Sequence, residues 1–150
     1  MTKLLLVRHG QSEWNAMGRW QGKANPPLTD LGKEQALLAA KKLPDFSILA
    51  SSDLVRARET AEIFAKAHDN DSNDILIEPQ VQERDAGEFS GLTRDEIDKK
   101  FPGYLAQNRW PSGWEPDDVL IKRLREGLGR IIASSTESDS IVVVTHGGCI

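Results

Sequence analysis

Two histidines stand at the ends of short apolar runs. His9 follows Leu4-Leu5-Leu6-Val7-Arg8, His146 follows Ile141-Val142-Val143-Val144-Thr145, and each is followed by glycine. In an open α/β sheet the carboxyl ends of the strands meet at a crevice where ligands bind. Two imidazoles far apart in sequence can therefore face one ligand. A neutral imidazole nitrogen is a good nucleophile near neutral pH, and a phosphohistidine is reactive enough to be hydrolysed. His9 is the candidate nucleophile. Arg8 beside it can hold a phosphate oxygen and, by like-charge repulsion, keep the imidazole unprotonated. Arg56, near the start of a helix, can grip a phosphate as a planar fork. Asn15 offers an amide donor, and a protonated His146 would add a positive donor opposite His9. Glu83, in the glycine-flanked stretch Glu83-Arg84-Asp85-Ala86-Gly87, can protonate a leaving alkoxide and later deprotonate water. This set suits phosphoryl transfer, where catalysis is mostly positioning and electrostatics. Guanidiniums, an imidazolium and loop amides can neutralise the charge, so neither a metal nor another cofactor is expected.

Each residue alone has a plainer reading. A lone histidine after a strand is usually a hydrogen-bonded structural residue, and a lone arginine or glutamate is usually a solvated charge. The joint occurrence favours chemistry. A two-histidine metal site finds no third ligand at metal spacing. His68, at a helix end where the dipole favours a cation, reads as structural. Trp14, Trp20, Trp110 and Trp114 fall in two long loops and fit either packing or contact with an apolar or sugar-like leaving group.

The elements that must position these residues alternate between apolar runs and helical patterns, which predicts an α/β fold. Residues 3–8 predict a buried strand. Residues 9–28, with Gly10, Gly18, Gly22, Pro26 and Pro27, predict a long ordered loop. Thr29 caps a helix to about Leu43, ended by Pro44. Residues 48–51 predict a short strand, Leu54 to His68 a helix, and Ile75 to Glu78 another strand. Thr93-Arg94-Asp95-Glu96 is a capping box that opens a helix to about Phe101. Residues 102–116 predict a loop or lid. Leu120, Leu124, Leu128, Ile131 and Ile132 mark an amphipathic helix, and residues 140–145 the last strand.

Composition narrows the function classes. A chain of 150 residues predicts one domain with a sizeable core. A net charge of −4 argues against general binding to nucleic acid or a membrane surface, both of which need a basic face. The single cysteine, Cys149, permits no intrachain disulfide. No secretory signal or membrane-length apolar run is seen, so a cytoplasmic location is expected.

Arg8-His9-Gly10-Gln11-Ser12-Glu13-Trp14-Asn15 resembles the signature of the histidine phosphatase superfamily, also called the phosphoglycerate mutase-like family. Gln21-Gly22, Pro27-Leu28-Thr29-Asp30-Leu31-Gly32, Ser52-Asp53-Leu54-Val55-Arg56-Ala57, Glu83 with Gly87 and Gly91, and Thr145-His146-Gly147-Gly148 follow the family's order. The resemblance implies a three-layer α/β/α sandwich with a mostly parallel sheet. It implies His9 as the phosphorylated nucleophile and Glu83 as the proton donor. It implies a phosphate pocket of Arg8, Asn15, Arg56 and His146, with Gln21, Gly22 and Gly147 completing the substrate contacts. The partner it implies is a small phosphorylated metabolite. Glu83-Arg84-Asp85-Ala86-Gly87 lacks the tyrosine of the family's cofactor-dependent mutases, and residues 92–140 carry no adjacent arginine pair. The chain therefore resembles the phosphatases more, including the α-ribazole phosphatase-like members. A mutase and a non-catalytic phosphate-ester-binding domain are the alternatives. The family continues past His-Gly-Gly with a helix and usually a strand, whereas this sequence stops at Cys149-Ile150. The expectation is a domain over 1–150 that is C-terminally incomplete or completes its core as a homo-oligomer.

Overall fold

The computed structural model describes residues 1–150. In chain order the elements are β1 (Lys3–Arg8), α1 (Glu13–Ala16), α2 (Asp30–Ala40), β2 (Ile48–Ser51), α3 (Val55–Ala67), β3 (Leu76–Ile77), α4 (Arg94–Lys100), α5 (Asp117–Ala133) and β4 (Ser140–Thr145). The four strands form one parallel sheet in the order β1-β4-β2-β3. Helices cover both faces, giving three α/β/α layers.

The alternation of side chains along a strand assigns the layers. Val142 and Val144 of β4 point to one face, where they pack with Leu49, with Ala36 and Ala40 of α2, and with Ala57, Ala61, Phe64 and Ala65 of α3. Ile141 and Val143 point to the other face and meet Ala50, Val81 and Ile131, with Leu124 and Leu128 of α5 alongside. β4 is buried on both faces, which is why its sequence is a continuous apolar run. The alanines of α2 and α3 let these helices lie close to the sheet. A third cluster, around Phe89, Ala86 and Ile97, sits in the loop region and gathers Trp20, Phe101, Tyr104 and Trp114.

Local signals place several boundaries. The Thr29 hydroxyl accepts from the Gly32 amide at 3.0 Å and starts α2. At α4 both bonds of the Thr93/Glu96 capping box are formed. Other expectations need correction. α2 stops at Ala40 rather than near Leu43, the last residues being a turn ahead of Pro44. The 9–28 loop contains α1, because Ser12 and Asn15 form a reciprocal capping box that the sequence reading passed over. β3 is only Leu76 and Ile77: the Glu78 amide still bonds to the Ser51 carbonyl at 2.9 Å, and Pro79, which has no N–H, then opens a 3-10 turn. β1 is an edge strand rather than a buried one. Leu6 and Val7 reach the two cores, but Leu4 and Leu5 are 38% and 39% exposed, because a strand at an edge has a partner on one side only. No helix is long and apolar enough to cross a membrane.

Candidate active site

The strand order decides where the two histidines go. β4 lies between β1 and β2, so the carboxyl ends of these three strands are adjacent. Arg8 is in register with Thr145, and Ser51 with Val144. The ladder runs one residue further: the His9 amide bonds to the Thr145 carbonyl and the Ser52 amide to the Val144 carbonyl, both at 3.1 Å. His9, Ser52 and His146 thus follow directly on three neighbouring strands. The two imidazole centroids are 5.1 Å apart, with planes inclined by 60°.

Hydrogen bonds fix the state of each ring. His9 Nδ1 lies 2.6 Å from the Gly10 carbonyl, which can only accept, so Nδ1 carries the proton. The other nitrogen, Nε2, is left with its lone pair, and Arg56 Nε–H donates to it at 3.3 Å. Burial first, then the charges of Arg56 and Arg8, pull the His9 pKa from 6.5 to about 4, against the opposing bond to Gly10. Desolvation, rather than the neighbouring cations alone, keeps this imidazole neutral.

His146 is fully buried. Its Nε2 lies 2.7 Å from the Ser52 hydroxyl, whose oxygen also accepts from the Leu54 amide at 3.4 Å. The serine hydroxyl has a proton to give and a second lone pair to receive with, so either group can donate in this contact. The other ring nitrogen, Nδ1, has no partner. Burial, with Arg56 and His9 next in importance, holds the His146 pKa down to about 2. The expectation of a protonated His146 is therefore corrected: the buried ring is neutral. Ser52 is a residue that sequence reading missed. Its only signal was its place after a strand ahead of Arg56.

Arg56 is also fully buried. Its Nη1 and Nη2 groups donate to the carbonyls of Ala24 (2.7 Å) and Gly22 (2.9 Å), so it anchors the loop after β1 as well as facing His9. Burial lowers its pKa from 12.5 to about 10, which still leaves it charged at neutral pH. Gly22 has φ +51°, and a Cβ there would stand 2.7 Å from the Ala86 amide nitrogen, so the loop can close only over glycine.

The mouth of the crevice is a cleft of about 260 Å³ lined by Arg8, Asn15, Arg19, Trp20, Gln21, Gly22, Glu83, Arg84, Ala86, Trp114 and Gly148. Arg8 is exposed there and takes part in no ion pair. The Asn15 carbonyl oxygen is occupied by the Ser12 amide and hydroxyl, which leaves its NH₂ free to donate. The Ser12 hydroxyl also contacts the side-chain amide of Gln21. Glu83 is held by main chain only: Oε1 accepts from the Arg84 amide (2.8 Å) and Oε2 from the Gly148 amide (3.2 Å). Gly147 packs against the Arg8 guanidinium, 3.4 Å from the place a Cβ would occupy. His9 itself opens to an adjoining hollow with Arg8, Gly10, Gln11, Asn15 and Gln35. A second cleft of about 260 Å³ lies at the opposite end of β2, but its charged residues are Asp71 and Asp74, a poor match for an anion.

Every sequence-predicted site residue thus lies at this crevice. His68 lies away from it, bonded to the Ala40 carbonyl at 2.9 Å. Cys149 stays a neutral thiol. Burial and the nearby Glu83 charge push its pKa to about 11, and its Sγ–H donates to the Gln82 carbonyl.

Residues 4–150 match the model of the histidine phosphatase superfamily (branch 1). The chain belongs to this family. Among curated relatives of this histidine phosphatase domain, a metal-independent phosphoserine phosphatase of Arabidopsis thaliana is 34% identical, matching 100% of this chain and 66% of its own length. A 2,3-bisphosphoglycerate-dependent phosphoglycerate mutase of Nitrobacter winogradskyi is 33% identical over 98% of this chain and 76% of its own length. Among solved structures, a mycobacterial glucosyl-3-phosphoglycerate phosphatase in complex with VO3 superposes with a TM-score of 0.87 at 30% identity. That match covers 97% of this chain and 76% of the other. The chain therefore spans about two-thirds to three-quarters of the length of these relatives.

Proposed function

We propose that this histidine phosphatase domain hydrolyses small phosphomonoesters through a phosphohistidine on His9. The observation that carries the reading is the His9 ring: neutral, its proton fixed on Nδ1 by the Gly10 carbonyl, and its Nε2 lone pair facing a crevice with Arg56, Arg8 and the unpartnered Nδ1 of His146. In the first step Nε2 attacks phosphorus. The N–P bond forms as the ester O–P bond breaks, and protonated Glu83 gives its proton to the leaving oxygen. In the second step Glu83, now a carboxylate, takes a proton from water. The oxygen attacks phosphorus, the N–P bond breaks, and inorganic phosphate leaves with His9 neutral again. Arg8, Arg56, Asn15 and His146 hold the equatorial oxygens, so no metal is needed and activity is expected to survive EDTA.

Relatives named as phosphoglycerate mutases favour a second reading, in which phospho-His9 returns its phosphoryl group to a second hydroxyl. Incubation with 3-phosphoglycerate and a bisphosphate primer separates the two: inorganic phosphate supports hydrolysis, an isomerised ester supports the mutase. Acid-labile radiolabel on the wild type but not on His9→Ala supports the covalent step. Phosphate binding with no labelled protein would leave a non-catalytic domain. A screen of phosphorylated metabolites identifies the leaving group.

A further inference from the structure

Arg123, on α5, is not among the residues that line the cleft, yet all five of its N–H groups are used. Nε and Nη2 donate to the Glu115 carboxylate at 2.6 and 2.8 Å. Nη1 donates to the carbonyls of Gln80 and Gln82, both at 2.8 Å, and Nη2 to the carbonyl of Glu83 at 2.9 Å. Glu115, only 7% exposed, reaches the other side of Glu83. Its Oε1 accepts from the Asp85 amide at 3.1 Å, and its carbonyl accepts from Arg84 Nη1 at 2.7 Å. The ion pair therefore brackets the main chain from 80 to 85, with Glu83 in the middle. The Glu83 carboxylate has no side-chain partner and goes where its main chain puts it.

We propose that Arg123, together with Glu115, is a positioning residue that aims the Glu83 carboxylate at the ester oxygen. The inference rests on Glu83 being the acid/base of the reaction. A buried ion pair is a weak source of stability, and an apolar pair could fill the same space. An apolar pair could not hold the carbonyls of Gln80, Gln82 and Glu83 and the Asp85 amide in place. A general acid works only within about 2.6–3.2 Å of its proton's destination, so a small drift of this segment removes its contribution.

The test compares first-turnover phosphoenzyme formation on two esters. The p-nitrophenolate of p-nitrophenyl phosphate leaves without a proton, whereas the alkoxide of 3-phosphoglycerate needs one. Arg123→Lys keeps the charge but not the fork. Its rate on 3-phosphoglycerate is expected to fall roughly 100-fold, and on the aryl ester far less. Glu83→Gln is expected to show the same split, and the double variant little further loss, because the two act through one group. Equal losses on both esters in a folded Arg123→Lys protein, with the split retained in Glu83→Gln, overturn the positioning role alone. Absence of the split in Glu83→Gln overturns the acid/base reading and this inference with it, as does a wild type labelled by neither ester. Should Arg123→Lys lose cooperative unfolding, the isosteric Glu115→Gln carries the same comparison. A split of about fivefold supports the role and none overturns it.

Discussion

The inner and outer ends of the crevice are built differently. At the inner end His9, Ser52, Arg56, Thr145 and His146 are each no more than 6% exposed; ladder bonds hold His9 and Ser52 to β4, which carries Thr145 and leads into His146, and α3 carries Arg56. At the outer end Trp20, Glu83, Arg84 and Trp114 sit on turns and are only half-buried. Those turns are tied by isolated contacts, such as the Gly91 amide to the Trp20 carbonyl at 2.8 Å and the single bridge between Ala86 and Trp114. In the proposed reaction the two histidines are fixed by the sheet, while the groups that would meet the leaving group are carried by loops over it. A rigid scaffold with variable loops lets one phosphoryl-transfer centre serve different esters.

Substitutions at the two ends should separate accordingly. The largest effect is expected at the inner end: His9→Ala should lower kcat at least ~10⁴-fold, or about 5 kcal/mol of barrier, read as phosphate release. Normal turnover would remove the nucleophile from the argument. Gly148→Ala is the sharpest probe of the boundary. A Cβ there would stand 2.2 Å from Glu83 Oε1, the far end of a flexible side chain. The carboxylate can swing away, so kcat should fall roughly 10–100-fold with the melting temperature kept. A loss of stability instead would mean that the contact is architectural.

The inner end should also reveal itself in acid. The folded His9 pKa of about 4 lies below its ordinary 6.5, so between these values the unfolded chain binds more protons. Stability should therefore rise with pH across that window and be lost as pH falls through it, by about 3 kcal/mol for His9. His146, held at about 2, extends the loss to lower pH. Denaturant titrations from pH 7 to 4 should show this slope, and it should flatten in His9→Gln. An unchanged slope would contradict the buried neutral ring. The smallest effect is expected at the outer end. Trp20→Ala or Trp114→Ala should shift KM by roughly tenfold and in a leaving-group-dependent way, with little change for inorganic phosphate binding. An equal change for every ester would move these indoles from specificity to packing.

Much of the inner end was legible in the sequence because its signals are local. The β4 run is apolar at every position because both of its faces are covered, and the glycine after each histidine marks where a strand stops. Thr29 and Thr93 announced their helices through capping chemistry that needs only three or four residues. The outer end was legible only as two loops rich in glycine, proline and tryptophan. Its conformation depends on contacts such as Trp110 stacked on Trp114 at 4.2 Å and Arg84 over Trp114 at 5.3 Å, which no spacing encodes.

The sequence by itself determined most of the element types, the order of the candidate site residues and the family to which the chain belongs. Those follow from side-chain periodicity, capping and turn chemistry within short windows. The tertiary structure decided that β4 inserts between β1 and β2, and hence that His9, Ser52 and His146 become neighbours. It also decided which nitrogen of His9 carries a proton, that His146 is neutral, and that Arg123 on a distant helix braces the Glu83 segment. Each of these is set by burial and by hydrogen bonds between residues far apart in the chain, and such partners become definite only once the sheet has closed.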